Sequence, residues 1–171
     1  LDYVRAMRSL LRQDVQVLLV GEVRDAETAH IVVEASLTGH LIMSTLHSGD
    51  PAEAIVRLLE MGIAPYQVAG ALCVVCSQRL LRTVCATCEG RGTSSPGPCG
   101  DSEGSGYRGR TACGQVAVVD DPLRQAILAR SAAGELRRLI DARSVSLLAD
   151  ADRLVNAGRT TREEVRRVLG D

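Results

Sequence analysis

The stretch Val15 to His47, VQVLLVGEVRDAETAHIVVEASLTGHLIMSTLH, constrains the fold of this 171-residue chain more than any other. Val15, Val17, Leu18, Leu19 and Val20 form a short apolar run that breaks at Gly21, with Glu22, Arg24 and Asp25 directly behind it. A run of this length ending in an acid reads as an interior parallel strand that delivers a carboxylate to the C-terminal edge of a sheet. Ligands of open α/β sheets bind at that edge. The alternative is a core strand capped by a solvated charge cluster. Ala26 to Leu37 then places Ala29, Val32, Val33 and Ala35 at roughly helical spacing, with Gly39 as a stop. A second apolar run, Leu41 to Leu46, reads as another strand, flanked by His40 and His47. An acid after the first strand of a β-α-β unit, with a histidine on each side of the second, fits nucleoside-triphosphate hydrolysis. There, strand ends hold the groups that sense water and phosphate.

One compositional fact limits that reading. All twenty basic residues are arginine, so the chain contains no lysine. A phosphate-cradling loop needs a glycine-rich turn followed by Lys and Ser or Thr, and the arginine fork does not freely replace that point charge. These 171 residues therefore carry no Walker A motif. The net charge of −1 implies neither a nucleic-acid footprint nor an anionic-membrane patch. No apolar run approaches the ~20 residues that span a bilayer, and no secretory signal is visible. The sequence opens on Leu1 inside an apparent helix and reads as a piece of something longer.

Along the chain, Leu1 to Gln13 repeats Val4, Met7, Leu10 and Leu11 at helical spacing, with Arg5, Arg8 and Arg12 on the other side. Asp50-Pro51 reads as an N-cap with Pro at the first helical position, opening a helix to Met61. Pro65 opens the next, predicted over Tyr66 to Ser77, with Cys73 and Cys76 as core residues. Gln78-Arg79-Leu80 leads into a strand, and Tyr107 to Val119 reads as extended. Asp121-Pro122 is expected to cap a helix to about Arg130. Helices follow near Ala133–Asp141 and Ser144–Asn156. Thr161-x-x-Glu164 has the form of a capping box for the last helix.

Between the two extended segments the material changes. Cys85 to Tyr107 is rich in glycine, serine and proline, without helical or strand period, and reads as a loop excursion. Cys85-Ala86-Thr87-Cys88 at its base is half of a tetrahedral zinc site, and Cys99 follows after a ten-residue gap. Two readings stand: a zinc centre, or a relic loop with three free thiols. Nothing suggests the oxidising compartment that disulfides need.

Two motifs together carry a family resemblance. LLRQDVQVLLVGEVRDAETA resembles the Walker B region of the secretion-ATPase superfamily, and TGHLIMSTLHSGD resembles its histidine box. The family comprises type II secretion ATPases and type IV pilus assembly ATPases, and the likeness runs from Leu10 to about Val168. It implies an α/β fold: a partial RecA-like P-loop NTPase core (1–84), a cysteine-containing, zinc-type loop (85–106), and a strand with a helical C-terminal subdomain (107–171). Glu22 is implied as the glutamate that positions metal and attacking water, and His47 as the histidine approaching the γ-phosphate. His40, Arg24 and Arg12 are expected to support the nucleotide site, with Arg24 and Asp25 expected to pair and brace the turn. ATP and Mg2+ are the implied cofactors. Zn2+ would be held by Cys85, Cys88 and Cys99.

The family's fourth cysteine falls on Ser102, a poor zinc ligand, so Asp101, Cys113 or a water is expected to complete the set. The implied assembly is a homo-hexamer, cytoplasmic and peripheral at the inner face of the cell membrane. It would work with an inner-membrane platform and the secretion or pilus apparatus, and not with nucleic acid. The cysteine loop favours an assembly motor over a retraction motor. Two functions follow: an ATP-hydrolysing motor subunit whose P-loop lies upstream of these residues, or a non-catalytic ring partner that keeps the fold but cannot bind ATP.

Overall fold

A computed structural model describes residues 3–170. The chain divides into two compact units, Leu1–Val75 with Ala117–Arg143, and Cys76–Val116 with Ser144–Asp171. The predicted helix start at Leu1 lies outside the described residues.

In the first unit, α1 (Tyr3–Leu10), β1 (Val17–Val20), α2 (Ala26–Leu37) and β2 (Leu41–Ser44) follow in order. β1 and β2 pair in parallel, with Val17 opposite Leu41 and Val20 opposite Ser44, as the β-α-β reading requires. The inward residues Val20, Leu18 and Ile42 pack with Val4 and Met7 of α1 and Ile31 of α2. The expectation of an interior strand fails on the other face. Leu19 is 73% exposed, and Val17, Leu41 and Met43 are also exposed. Both helices cover the same side of this two-stranded sheet, so alternation along each strand turns half of its apolar residues to solvent.

Local chemistry sets the helices that follow. Asp50 caps α3 (Pro51–Glu60) by accepting from the Glu53 N–H at 2.9 Å, as Asp50-Pro51 predicts. α4 (Pro65–Ala71) stops well short of Ser77. The chain instead extends into β3 (Val74–Val84), which pairs with β4 (Tyr107–Val118). Cys73 and Cys76 are consequently exposed rather than core residues. The β-branched pair Val74-Val75 suits a strand, and Val119 N–H closes the ladder on the Cys73 carbonyl at 2.9 Å. α5 (Asp121–Leu128) is capped by Asp120, one residue before the expected Asp121. α6 (Ala133–Asp141) completes the unit around Ile55, Val68, Ile127 and Leu136, each essentially without solvent contact.

The second unit gathers Leu81 of β3 and Cys113 of β4 with α7 (Leu147–Asn156) and α8 (Arg162–Leu169). Thr161 caps α8 by accepting from the Glu164 N–H, but the Glu164 carboxylate does not fold back to close a capping box. It accepts from the Arg82 backbone N–H at 2.9 Å and pairs with the Arg82 and Arg167 guanidinium groups at 2.7 Å. Glu164 is fully buried. Hydrogen bonds from Arg167, against the opposing effect of burial and helped by Arg82, hold its carboxyl at about 2 instead of 4.5. The stability it contributes is full above pH 4.5 and drains away as pH falls toward 2. Glu164→Ala strands two arginines and is expected to cost the unit about 3 kcal/mol. Thermal melts between neutral pH and pH 2 check this: the wild-type midpoint should fall more steeply with acid than that of the variant.

Candidate functional site

Gly21 ends β1, and the ends of the two strands are stitched together. Thr45 Oγ1 donates to the Gly21 carbonyl at 2.7 Å, and the Val23 N–H donates to the Thr45 carbonyl at 2.9 Å. Val23 is buried in the core. Glu22, between these anchors, projects from the C-terminal edge of the sheet, and His47, three residues beyond β2, arrives at the same place. His47 Nε2 lies 3.6 Å from Glu22 Oε1. The Glu22 side chain is only 22% exposed, whereas His47 is 89% exposed. A recessed carboxylate is thus paired with an imidazole open to incoming ligand. The two residues that the sequence assigns to one site are in contact.

The supporting residues divide. Arg24 Nε donates to Glu22 Oε2 at 2.7 Å, so both carboxylate oxygens have partners. An ion pair with so exposed an arginine contributes under about 1 kcal/mol; its effect is to aim the carboxylate. The expected Arg24–Asp25 pair does not form, because Asp25 caps α2, accepting from the Thr28 N–H at 2.8 Å. That bond holds the Asp25 carboxyl below the usual carboxylate range, and the carboxylate also favours the positive end of the helix. His40 sits at the far end of α2, its Nδ1 3.1 Å from the Ala35 carbonyl oxygen. Arg12 lies on the exposed turn after α1.

A residue that pattern reading passed over is Arg57 of α3. Its Nη1 donates to the His47 carbonyl at 2.8 Å, fixing the histidine's backbone to a capped helix. Asp50, the cap of that helix, is itself paired with Arg137 at 2.6 Å. The recess beside His47 is lined by Ser48, Glu53, Arg57 and Glu60.

In the other unit, Cys85, Cys88 and Cys99 are buried, and their sulfur atoms lie within 4.8 Å of one another. Three convergent thiols with no apolar neighbours in their cluster fit a soft metal ion such as zinc. Burial pushes the Cys88 thiol up, but hydrogen bonds from Ser102, the Gly92 N–H, Cys99 and Cys85 outweigh it and bring it to about 7. The thiolate, which is the ligating form, is therefore accessible near neutrality. Cys113 does not complete the set, since it packs against Leu81, Ala151 and Leu154. Nor is Asp101 free to do so: it accepts from Thr87 Oγ1 and pairs with Arg108 at 2.7 Å. Ser102 is the residue at the cluster, 4% exposed, with its Oγ 3.6 Å from Cys88 Sγ.

An internal repeat explains this placement. Cys85-Ala-Thr-Cys88-Glu-Gly-Arg-Gly92 and Cys99-Gly-Asp-Ser102-Glu-Gly-Ser-Gly106 share one pattern, fourteen residues apart. Glu89 and Glu103 both have φ of 50°. The Cys99 N–H donates to the Gly92 carbonyl and the Cys85 N–H to the Gly106 carbonyl, each at 2.9 Å. Cβ atoms on Gly92 and Gly106 would collide with the carbonyls of Gly104 and Gly90, so both glycines are required for close approach. Repeat matching alone would have found this correspondence.

Among known proteins, a family described as "Type II/IV secretion system protein" matches residues 1–167. The type IV pilus assembly ATPase PilB of Thermus thermophilus is 40% identical over 188 residues, covering 96% of this chain and 21% of that protein. Type II secretion system protein E of Aeromonas hydrophila is 40% identical over 189 residues, covering 98% of this chain and 37% of that one. Among solved structures, the ATPase DotB of Legionella pneumophila matches with a TM-score of 0.74 at 24% identity, covering 97% of this chain and 42% of that chain. The pilus retraction motor PilT with bound ADP gives 0.74 at 22%, covering 97% and 43% respectively. The chain thus spans less than half the length of each of these proteins.

Proposed function

Because this chain belongs to the type II/IV secretion system protein family and has the RecA-like fold of its ATPases, we propose that it forms the Walker B and histidine-box part of an ATP-hydrolysing motor subunit. The motor would power type II secretion or type IV pilus assembly. The observation that carries this reading is the Glu22–His47 approach of 3.6 Å at the sheet edge, well inside the ~10 Å that one bound triphosphate bridges. Glu22, aimed by Arg24, orients the attacking water and accepts its hydrogen bond. His47 Nε2, held by Arg57 through its backbone, donates to an oxygen of the terminal phosphate. Mg2+, when bound with ATP, neutralises charge on the β- and γ-phosphate oxygens. His40, in the turn between α2 and β2, and Arg12, in the turn after α1, precede the two parallel strands and lie at the end opposite Glu22 and His47, so any support they give the site would act through the strands.

The wider reading follows the family resemblance. The subunit works as a cytoplasmic homo-hexamer at the inner face of the membrane, docked on a platform of the secretion or pilus apparatus. None of the described helices is long and apolar enough to cross a bilayer. Cys85, Cys88 and Cys99 hold a structural zinc ion that organises the 85–106 loop.

A second reading is a non-catalytic ring partner that keeps the fold. An activity test separates the two. Leu1–Asp171 alone should show no measurable ATP hydrolysis, because no phosphate loop holds the β- and γ-phosphates. Joined to a lysine-bearing phosphate loop in one polypeptide, the same residues should turn ATP over. No turnover in that polypeptide would select the non-catalytic partner.

A further inference from the structure

We infer that the side-chain oxygen of Ser102 is the fourth ligand of the cysteine cluster, so that the centre is built from three sulfurs and one oxygen. This rests on the zinc reading above and adds the corner that it leaves unassigned.

Position is the first ground. In the internal repeat Ser102 stands where Cys88 stands, behind the same left-handed Glu-Gly turn. The Arg91 N–H donates to the Cys88 carbonyl at 3.0 Å, and the Ser105 N–H donates to the Ser102 carbonyl at 2.9 Å. The two turns thus share the bond that follows the ligand position and the left-handed glutamate after it. Distance is the second ground. With Zn–S near 2.3 Å and Zn–O near 2.1 Å, a tetrahedron has an S···O edge of about 3.6 Å. The Cys88 Sγ–Ser102 Oγ separation is 3.6 Å. Competition is the third ground: Asp101 is engaged by Thr87 and Arg108, and Cys113 belongs to a different packing cluster. The buried Ser102 hydroxyl, 3.6 Å from the Cys88 thiol, is the donor that remains for the fourth corner.

The chemistry of the centre changes accordingly. Three thiols give up their protons to ligate as thiolates, while the serine hydroxyl ligates through an oxygen lone pair and keeps its proton. The site then carries a net charge of −1, where four thiolates would give −2. A neutral oxygen is a weaker donor than a thiolate, so the ion should be held less tightly and exchange more readily than in a four-sulfur site.

Zinc content, X-ray absorption and cobalt(II) spectra of the full chain test this. Wild type should hold one zinc with three sulfurs and one oxygen, and added azide should leave its cobalt spectrum unchanged. Ser102→Ala should weaken zinc binding at least about tenfold, and its cobalt spectrum should shift with azide as water takes the open corner. Ser102→Cys should bind zinc more tightly than wild type. Its thiolate-to-cobalt band should rise by roughly a third, the ratio of four thiolates to three. A wild-type spectrum that responds to azide like Ser102→Ala, or four sulfurs in wild type, would overturn the assignment of Ser102. Zinc binding unchanged in Ser102→Ala would overturn it as well. Wild-type protein that takes up no zinc would instead overturn the underlying zinc reading.

Discussion

Glu22→Gln, made in a polypeptide that joins these residues to a phosphate loop, is expected to slow ATP turnover by about 10²- to 10⁴-fold. ATP binding should stay within about threefold of wild type, because the phosphate loop supplies most of the grip on the nucleotide. The amide keeps the volume of the carboxylate, and its oxygen can still accept from Arg24, which donates to Glu22 at 2.7 Å. What it loses is the negative charge that, in the proposed role, draws a proton of the attacking water. The two effects separate in single-turnover hydrolysis and equilibrium binding measured side by side. Arg57→Ala offers a graded control, since it frees the His47 backbone while leaving Glu22 intact. Turnover unchanged in Glu22→Gln would remove this carboxylate from the chemistry, whatever its geometry.

Cys99→Ala should have the largest effect in the other unit. The 85–106 loop has no apolar core of its own; its buried cluster consists of Cys85, Cys88 and Cys99. Structural zinc contributes on the order of 10 kcal/mol to such small folds at neutral pH, and removing one of three thiolates forfeits most of that. Hydrogen exchange read by mass spectrometry should show amides from Cys88 to Ser105 losing protection in the variant. The same loss should follow chelator treatment of the wild type, and α3 and α5 should be unaffected in both cases. Full protection in the variant would mean that the paired backbone turns hold the loop without a metal.

Where the sequence was legible, the determinants were local. Asp50-Pro51 fixed the start of α3, since cap and proline act within one turn. The apolar run, acid and second run brought Glu22 and His47 together, because a β-α-β unit leaves two parallel strand ends side by side. Where it misled, the determinant lay far away or was shared. Leu72 to Ser77 carries an apolar pattern that fits a helix, but these residues pair with a strand some forty positions later, as the Cys73–Val119 bond shows. Asp25 has one carboxylate, and the N-terminus of α2 claims it before Arg24 can. Ser102 looked like a lost ligand when judged by side-chain type; its backbone turn marks the position that it fills.

The half-covered sheet bears on how sharply the candidate site can be defined. The β1–β2 sheet packs on α1 and α2 through one face only, and with Val17, Leu19, Leu41 and Met43 turned outward it has fewer contacts to resist local opening than an element covered on both faces. Amides of β1 and β2 should therefore exchange with solvent faster than those around Ile55 and Ile127 in the same unit. Glu22 and His47 hang from the ends of those strands, so their 3.6 Å approach would be averaged over every such opening. Anything that settles on the outer face would slow these openings and sharpen the pair without touching either residue. The geometry of the candidate site would then be governed by packing on a surface several residues back along the strands, and a ligand or neighbouring segment bound there would act on it through the lifetime of the closed state.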